Sequence, residues 1–166
     1  MTSPDRASTS PDRVASAVFA LLLAACLAAF FITQRLKHTP TLVQRFELTP
    51  VFSPIGSGHL KLEAISFKLA HADHVTVTIV DATGSDVATL VRDHYVTRYK
   101  QFSLRWNGRR GVARGYTFTA TAGGRPVLLP FNHGSLAPAG EYRVRVSLDR
   151  QRRTLLSPRS FTLVRP

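Results

Sequence analysis

Cysteine is all but missing from this sequence: Cys26 is the one thiol among 166 residues and lies inside an apolar run. The chain therefore closes no intrachain disulfide and builds no zinc site from cysteines, and its fold rests on packing. Acidic residues are scarce as well, ten against 22 Lys plus Arg, for a formal charge of +12 and a sequence pI near 11.2. Three enzyme signatures are absent: a Gly-x-Ser-x-Gly nucleophile turn, a phosphate-binding P-loop and a dinucleotide fingerprint. Beyond Lys37 there is neither a second long apolar run nor a sustained 3.6-residue period, which excludes a helical bundle and a second helical span.

What is present begins with Val14 to Thr33, VASAVFALLLAACLAAFFIT, 20 residues without a charge. At helical rise such a segment spans roughly 30 Å, the hydrocarbon thickness of a bilayer. It shows no polar face, unlike a soluble amphipathic helix, and Asp12-Arg13 and Gln34-Arg35-Leu36-Lys37-His38 place polar groups at its two ends. A transmembrane helix is expected over 14–33, preceded by a disordered tail (1–13) and followed by a tether (34–41). Leu23-Ala24-Ala25-Cys26 resembles a lipoprotein lipobox, but Leu27 to Thr33 stays uncharged where a lipoprotein turns polar, and the run exceeds a signal-peptide core. Lipidation of Cys26 stays open as the alternative. Arg6 and Arg13 before the helix and Arg35, Lys37 and Arg45 after it tilt the positive-inside count slightly toward a cytoplasmic C-terminal region.

The remainder reads as strands. Val75, Val77 and Ile79 alternate with threonines; Ile65, Phe67 and Leu69 share one face of 64–69; Phe102, Leu104 and Trp106 share one face of 101–106. Tyr142 to Leu148 and Ser160 to Val164 repeat the period. Asp81-Ala82-Thr83-Gly84, Asn107-Gly108, Ala122-Gly123-Gly124 and Ala137-Pro138-Ala139-Gly140 supply turns between them. Several short strands so punctuated predict one all-β domain over 42–166, an antiparallel sandwich or barrel.

The first 39 residues hold four basic and two acidic side chains, leaving 18 against 8, or +10, for the domain. Arg92 to Arg114 carries seven basic residues and one acid, Arg143 to Arg159 six and one. Such charge favours anionic partners. Arg105, Arg109, Arg110, Arg114, Arg143 and Arg145 form the candidate polyanion-binding set, with Arg105, Arg143 and Arg145 expected to point outward from a sheet. Alternation sets Trp106 in the core, its indole N–H seeking a backbone acceptor. The six histidines (His38, His59, His71, His74, His94, His133) lack ligand spacing, and no metal, cofactor or catalytic residue is expected.

From about Phe46 to Val164 the chain resembles the FlgD-type immunoglobulin-like domain of bacterial extracytoplasmic proteins. The resemblance rests on Phe52-Ser53-Pro54, Ile65 to Leu69, Val77 to Gly84 leading to Val87 and Leu90, Leu104 to Arg109, and Pro138 to Val146. It implies an Ig-like antiparallel sandwich in which Asp81, Gly84, Trp106, Gly108, Gly140 and Tyr142 are structural motif positions. Two departures stand out. Where the family has an acidic loop, this chain has Ile55-Gly56-Ser57-Gly58 and then Lys61, so no calcium is expected there. Trp106 and Tyr142 are 36 positions apart, which implies an insertion at about 112–136, with Tyr116 to Thr121 and Pro126 to Phe131 as a hairpin around Gly123-Gly124.

The resemblance further implies an extracytoplasmic domain on a cytoplasmic N-terminus. The expected function is a non-enzymatic, single-pass interaction or structural module of the cell envelope. The alternative is a binding protein for an anionic polymer or lipid headgroup. The partner is then another envelope protein or an anionic envelope polymer, nucleic acid being disfavoured.

Overall fold

A computed structural model describes residues 11–37, 42–55, 61–120 and 126–165. The tail up to residue 10, the tether from 38 to 41, Gly56-Ser57-Gly58, Gly123-Gly124, His38 and His59 lie outside the described residues. The chain forms two compact units, Met1–Pro40 and Thr41–Pro166.

Among its described residues the first unit holds one helix, α1 (Pro11–Lys37), longer at both ends than the apolar run. The uncharged stretch marks what a bilayer tolerates, whereas backbone hydrogen bonding continues through polar flanks; proline is well placed at a helix start, where its missing N–H has no partner to lose. Residues Ala15–Gln34 have a mean hydropathy of 2.6 and are unburied, long and apolar enough to cross a membrane. Thr33 turns its hydroxyl back to the carbonyls of Ala29 and Phe30, each at 2.8 Å, so that its polar group is satisfied within the helix.

The second unit is built of β1 (Val43–Leu48), β2 (Val51–Phe52), β3 (Glu63–Leu69), β4 (Asp73–Asp81), β5 (Asp86–Val96), β6 (Gln101–Trp106), β7 (Gly111–Val112), β8 (Tyr116–Ala120), β9 (Pro126–Pro130), β10 (Gly140–Leu148), β11 (Arg153–Leu156) and β12 (Phe161–Leu163). One sheet runs β1-β3-β6-β9-β8, the other β2-β12-β10-β4-β5-β7. β11 and β12 share one edge of β10, β12 against Gly140 to Tyr142 and β11 against Arg145 to Leu148.

Alternation along β3, β6 and β10, and along β4, where Thr78 and Val80 are buried as well, puts Ile65, Phe67 and Leu69, Val75, Val77 and Ile79, Phe102, Leu104 and Trp106, and Tyr142, Val144, Val146 and Leu148 into one core drawn from both sheets. Each such side chain contributes about 1.5–3 kcal/mol by leaving water.

One expectation changes. The sheets are mixed, not purely antiparallel: β2 runs parallel to β12, β7 to β5 and β9 to β6. Parallel neighbours require a long crossing connection, such as 107–125 between β6 and β9, which alternation and turn residues do not reveal. The 112–136 segment is part of the sheet structure. The hairpin forms, Tyr116 facing Pro130 and Ala120 facing Pro126, but β9 is stitched onto β6 at Leu104 and Leu128, extending the sheet. Val112 pairs with Thr89, and the N–H of Ala137 donates to the carbonyl of Gly108 at 2.8 Å, so both ends are tied in.

Candidate functional site

The motif positions converge at one end of the core. Trp106 is fully buried at the end of β6, and its indole N–H donates to the carbonyl of Arg109 at 2.8 Å across the Asn107-Gly108 turn. Its ring lies 5.6 Å from Phe52, 5.8 Å from Tyr142 and 6.0 Å from Phe161, centroid to centroid, the tilted and edge-on contacts that aromatic quadrupoles favour. Gly108 has φ +75°, and a methyl there would stand 3.0 Å from Cγ of Pro54, so glycine is demanded by backbone conformation and by space together.

Tyr142, at the start of β10, sends its hydroxyl back to the carbonyl of Pro138 at 2.6 Å, and burial raises its pKa above the ordinary phenol value. Asp81 closes the β4–β5 turn: one carboxylate oxygen accepts from the Thr83 hydroxyl at 2.6 Å and from the amides of Thr83 and Ser85 at 2.9 and 3.0 Å. Those bonds, led by the Thr83 hydroxyl, hold its pKa below the usual carboxylate range. Gly84 takes φ +84° in this turn. Gly140 opens β10.

The six arginines, in contrast, do not assemble. Arg105 projects from β6 on the outer face of the five-stranded sheet, beside a depression of about 300 Å³ floored by Ala64, Ser66 and Ser103 and bordered by Glu47. Arg143 and Arg145 project from β10 on the outer face of the seven-stranded sheet. Two sheets that share a core turn their outer faces away from each other, so Arg105 lies on one face and Arg143 and Arg145 on the opposite one. Arg145 is further engaged in an ion pair with Asp86 across β4. Arg109 and Arg110 lie in the loop after β6, where the Arg109 guanidinium donates to the carbonyl of Gly134 at 3.1 Å and the Arg110 amide to that of Ser135 at 2.9 Å. Arg114 is exposed just before β8.

Three buried polar residues carry structure without having signalled it in the sequence. Glu63 is fully buried; the amide of Thr49 donates to its Oε1 at 2.9 Å, Oε2 has no partner among the described residues, and burial pushes its pKa up to about 8. Asp73, also fully buried, accepts from the amides of His74 and Arg150 at 2.7 and 2.9 Å and of Gln151 at 3.2 Å, tying the β3–β4 connection to the β10–β11 turn. Asn132 donates to the carbonyls of Gly111 and Thr89 at 2.7 and 3.2 Å and so anchors the chain after β9.

Of the histidines, His74 pairs with Asp93 at 2.8 Å, and His94 lies between the rings of Phe102 and Tyr116, where burial and then the neighbouring His74 lower its pKa. His71 and His133 are exposed. Among the described residues no three His, Cys, Asp or Glu side chains stand close enough to hold one metal ion. Comparison of the chain with family models and with curated proteins finds no match.

Proposed function

We propose that this protein is a single-pass, membrane-anchored interaction module without catalytic activity, whose β unit is an Ig-like sandwich displayed at the bacterial cell envelope. The observation that carries this reading is the joining of a helix with a 20-residue uncharged, unburied stretch to a separately cored β unit. A helix with no polar face has its hydrophobic demand met by lipid, and a β unit with its own core needs nothing from that helix to fold.

The Ig-like assignment draws support from two sheets over one core and from Tyr142, whose hydroxyl bonds backward to Pro138 in the manner of the tyrosine corner of Greek-key sandwiches. The placement outside the cytoplasm comes from the FlgD-type resemblance, since long C-terminal regions are translocated largely regardless of charge. The alternative, polyanion binding through one arginine face, loses support from the separation of Arg105 from Arg143 and Arg145.

The test is fractionation with topology fusions. The protein is expected to stay with membranes through high salt and carbonate and to yield to detergent. A C-terminal alkaline phosphatase fusion is expected to be active and a Sec-routed green fluorescent protein fusion dark. Release by salt alone overturns the anchor, and the reverse fusion pattern overturns the orientation.

A further inference from the structure

The end of the β unit at which the chain comes in from α1 is distinct from the end that holds the motif residues. The carbonyl of Leu42 accepts the amide of Ala70 at 2.9 Å, and the carbonyl of Leu69 accepts that of Tyr99 at 2.9 Å. Asp73 then binds the amides of Arg150 and Gln151. The start of β1 and the loops at 70–72, 97–100 and 149–152 are thereby held together at one end. Around it stand Lys68, Arg98, Lys100, Arg150, Arg152 and Arg153, all exposed except the half-buried Lys68. The acids of these strand ends and loops are few: Asp149 is exposed, Asp73 is buried within hydrogen bonds and Asp93 is paired with His74.

Two tyrosines accompany the cations. Tyr95 and Tyr99 are 50% and 53% exposed, high for aromatic rings on a domain with a full core. Tyr99 also holds φ +59°, a left-handed conformation uncommon for a non-glycine residue, and the Arg98 guanidinium lies 4.3 Å over its ring while donating to its hydroxyl at 2.6 Å. The pair presents a planar cation stacked on an exposed amphipathic ring. Five residues, 38–42, separate α1 from β1 in the chain.

We propose that this surface, Lys68, Arg98, Lys100, Arg150, Arg152 and Arg153 with Tyr95 and Tyr99, docks on an anionic phospholipid bilayer and takes lipid phosphates as its ligands. The inference rests on α1 spanning the membrane and adds that the β unit lies against it. Basic side chains close to an anionic leaflet gain from its surface potential, and guanidinium groups match phosphate with paired donors. Tyrosine supplies the amphipathic ring found at lipid–water interfaces. None of the six arginines singled out from the sequence belongs to this surface.

Full-length protein in nanodiscs of phosphatidylcholine alone, or of phosphatidylcholine mixed with phosphatidylglycerol, provides the test, read by amide hydrogen exchange. In the anionic discs, peptides covering 97–101 and 149–153 are expected to exchange about tenfold more slowly at about 0.1 M salt and to lose the difference at about 1 M. Peptides covering 107–111 and 132–136, at the other end, are expected not to change. Replacing the six cations by glutamine is expected to abolish the lipid dependence. Equal exchange in the two lipids, equal slowing at both ends, or a lipid effect that survives the glutamine variant overturns the docking. Failure of the chain to co-elute with neutral discs overturns the membrane span and the docking with it, whereas co-elution without a lipid effect overturns the docking alone.

Discussion

The amide of Thr49 donates at 2.9 Å to one oxygen of the Glu63 carboxyl, while the other oxygen is buried with no partner among the described residues. Desolvation outweighs that single bond and pushes the Glu63 pKa up to about 8, so the carboxyl is protonated in the folded protein at neutral pH. The unfolded chain ionises near 4.5. Folding therefore retains a proton that the unfolded chain releases between those values, and stability falls as pH rises through this window. Urea unfolding at pH 5 and pH 8 is expected to show a loss of a few kcal/mol in the wild type. Glu63→Gln, which keeps an acceptor for Thr49, is expected to flatten it; an unchanged pH slope in the variant would sink the assignment.

Trp106 is the largest fully buried side chain, and it touches Phe52, Tyr142 and Phe161. A chain of residues 41–166 is expected to be β-rich by circular dichroism, to unfold cooperatively, and to keep its melting temperature when calcium or a chelator is added. In it, Trp106→Ala is expected to cost about 3–5 kcal/mol. Trp106→Phe retains most of the packing but orphans the Arg109 carbonyl, for about 1–2 kcal/mol. A calcium-dependent rise of several degrees would show that the 55–61 loop binds the ion after all.

Gly108 and Gly84 share a positive φ but differ in surroundings, Pro54 lying against one and nothing within 4 Å of the other. Gly84→Ala is expected to cost about 1 kcal/mol, from backbone conformation alone. Gly108→Ala should cost roughly twice that or more, because Pro54 must also move. Equal losses in chemical denaturation would mean that the contact with Pro54 carries no energy.

Asp73 holds three amides from two chain segments, and replacement by alanine strands all of them at once. The expected loss is about 3 kcal/mol or more. Hydrogen exchange should rise first at 150–151, since of the turn's ties to β4 only the Asp149 amide on the His74 carbonyl is left. Local exchange that matches wild type would place the stabilisation elsewhere.

Strands β3, β6 and β10 were legible because each turns one face to the core without interruption, and β4 because Val75, Val77 and Ile79 keep the period although Thr78 and Val80 are buried as well. β5, the longest, was not: register shifts opposite Val75–Val77, Val77–Thr78 and Ile79–Val80 bring Ala88, Leu90 and Val91 all inward and erase the two-residue period. β1 is masked in the same way by a shift between Gln44 and Glu47, where Arg45 takes φ +49°. A bulge adds one residue to one strand, and periodicity downstream then reads from the wrong face.

The sequence alone determined the apolar helix, the β character of the rest, the core placement of Trp106 and the inward and outward sense of each regular strand, because these follow from local chemistry and a fixed period. Only the tertiary structure decided which sheet each strand joins. Arg105 and Arg143 both point outward, as alternation requires, yet β6 and β10 belong to different layers and carry the two charges to opposite faces. It likewise decided that Glu63 is buried at a strand end and that the segments carrying Lys68, Arg98 and Arg150 lie at the same end of the β unit. Pairing between distant segments is set by the burial of a common core, and a count of charges along the chain carries no information about it.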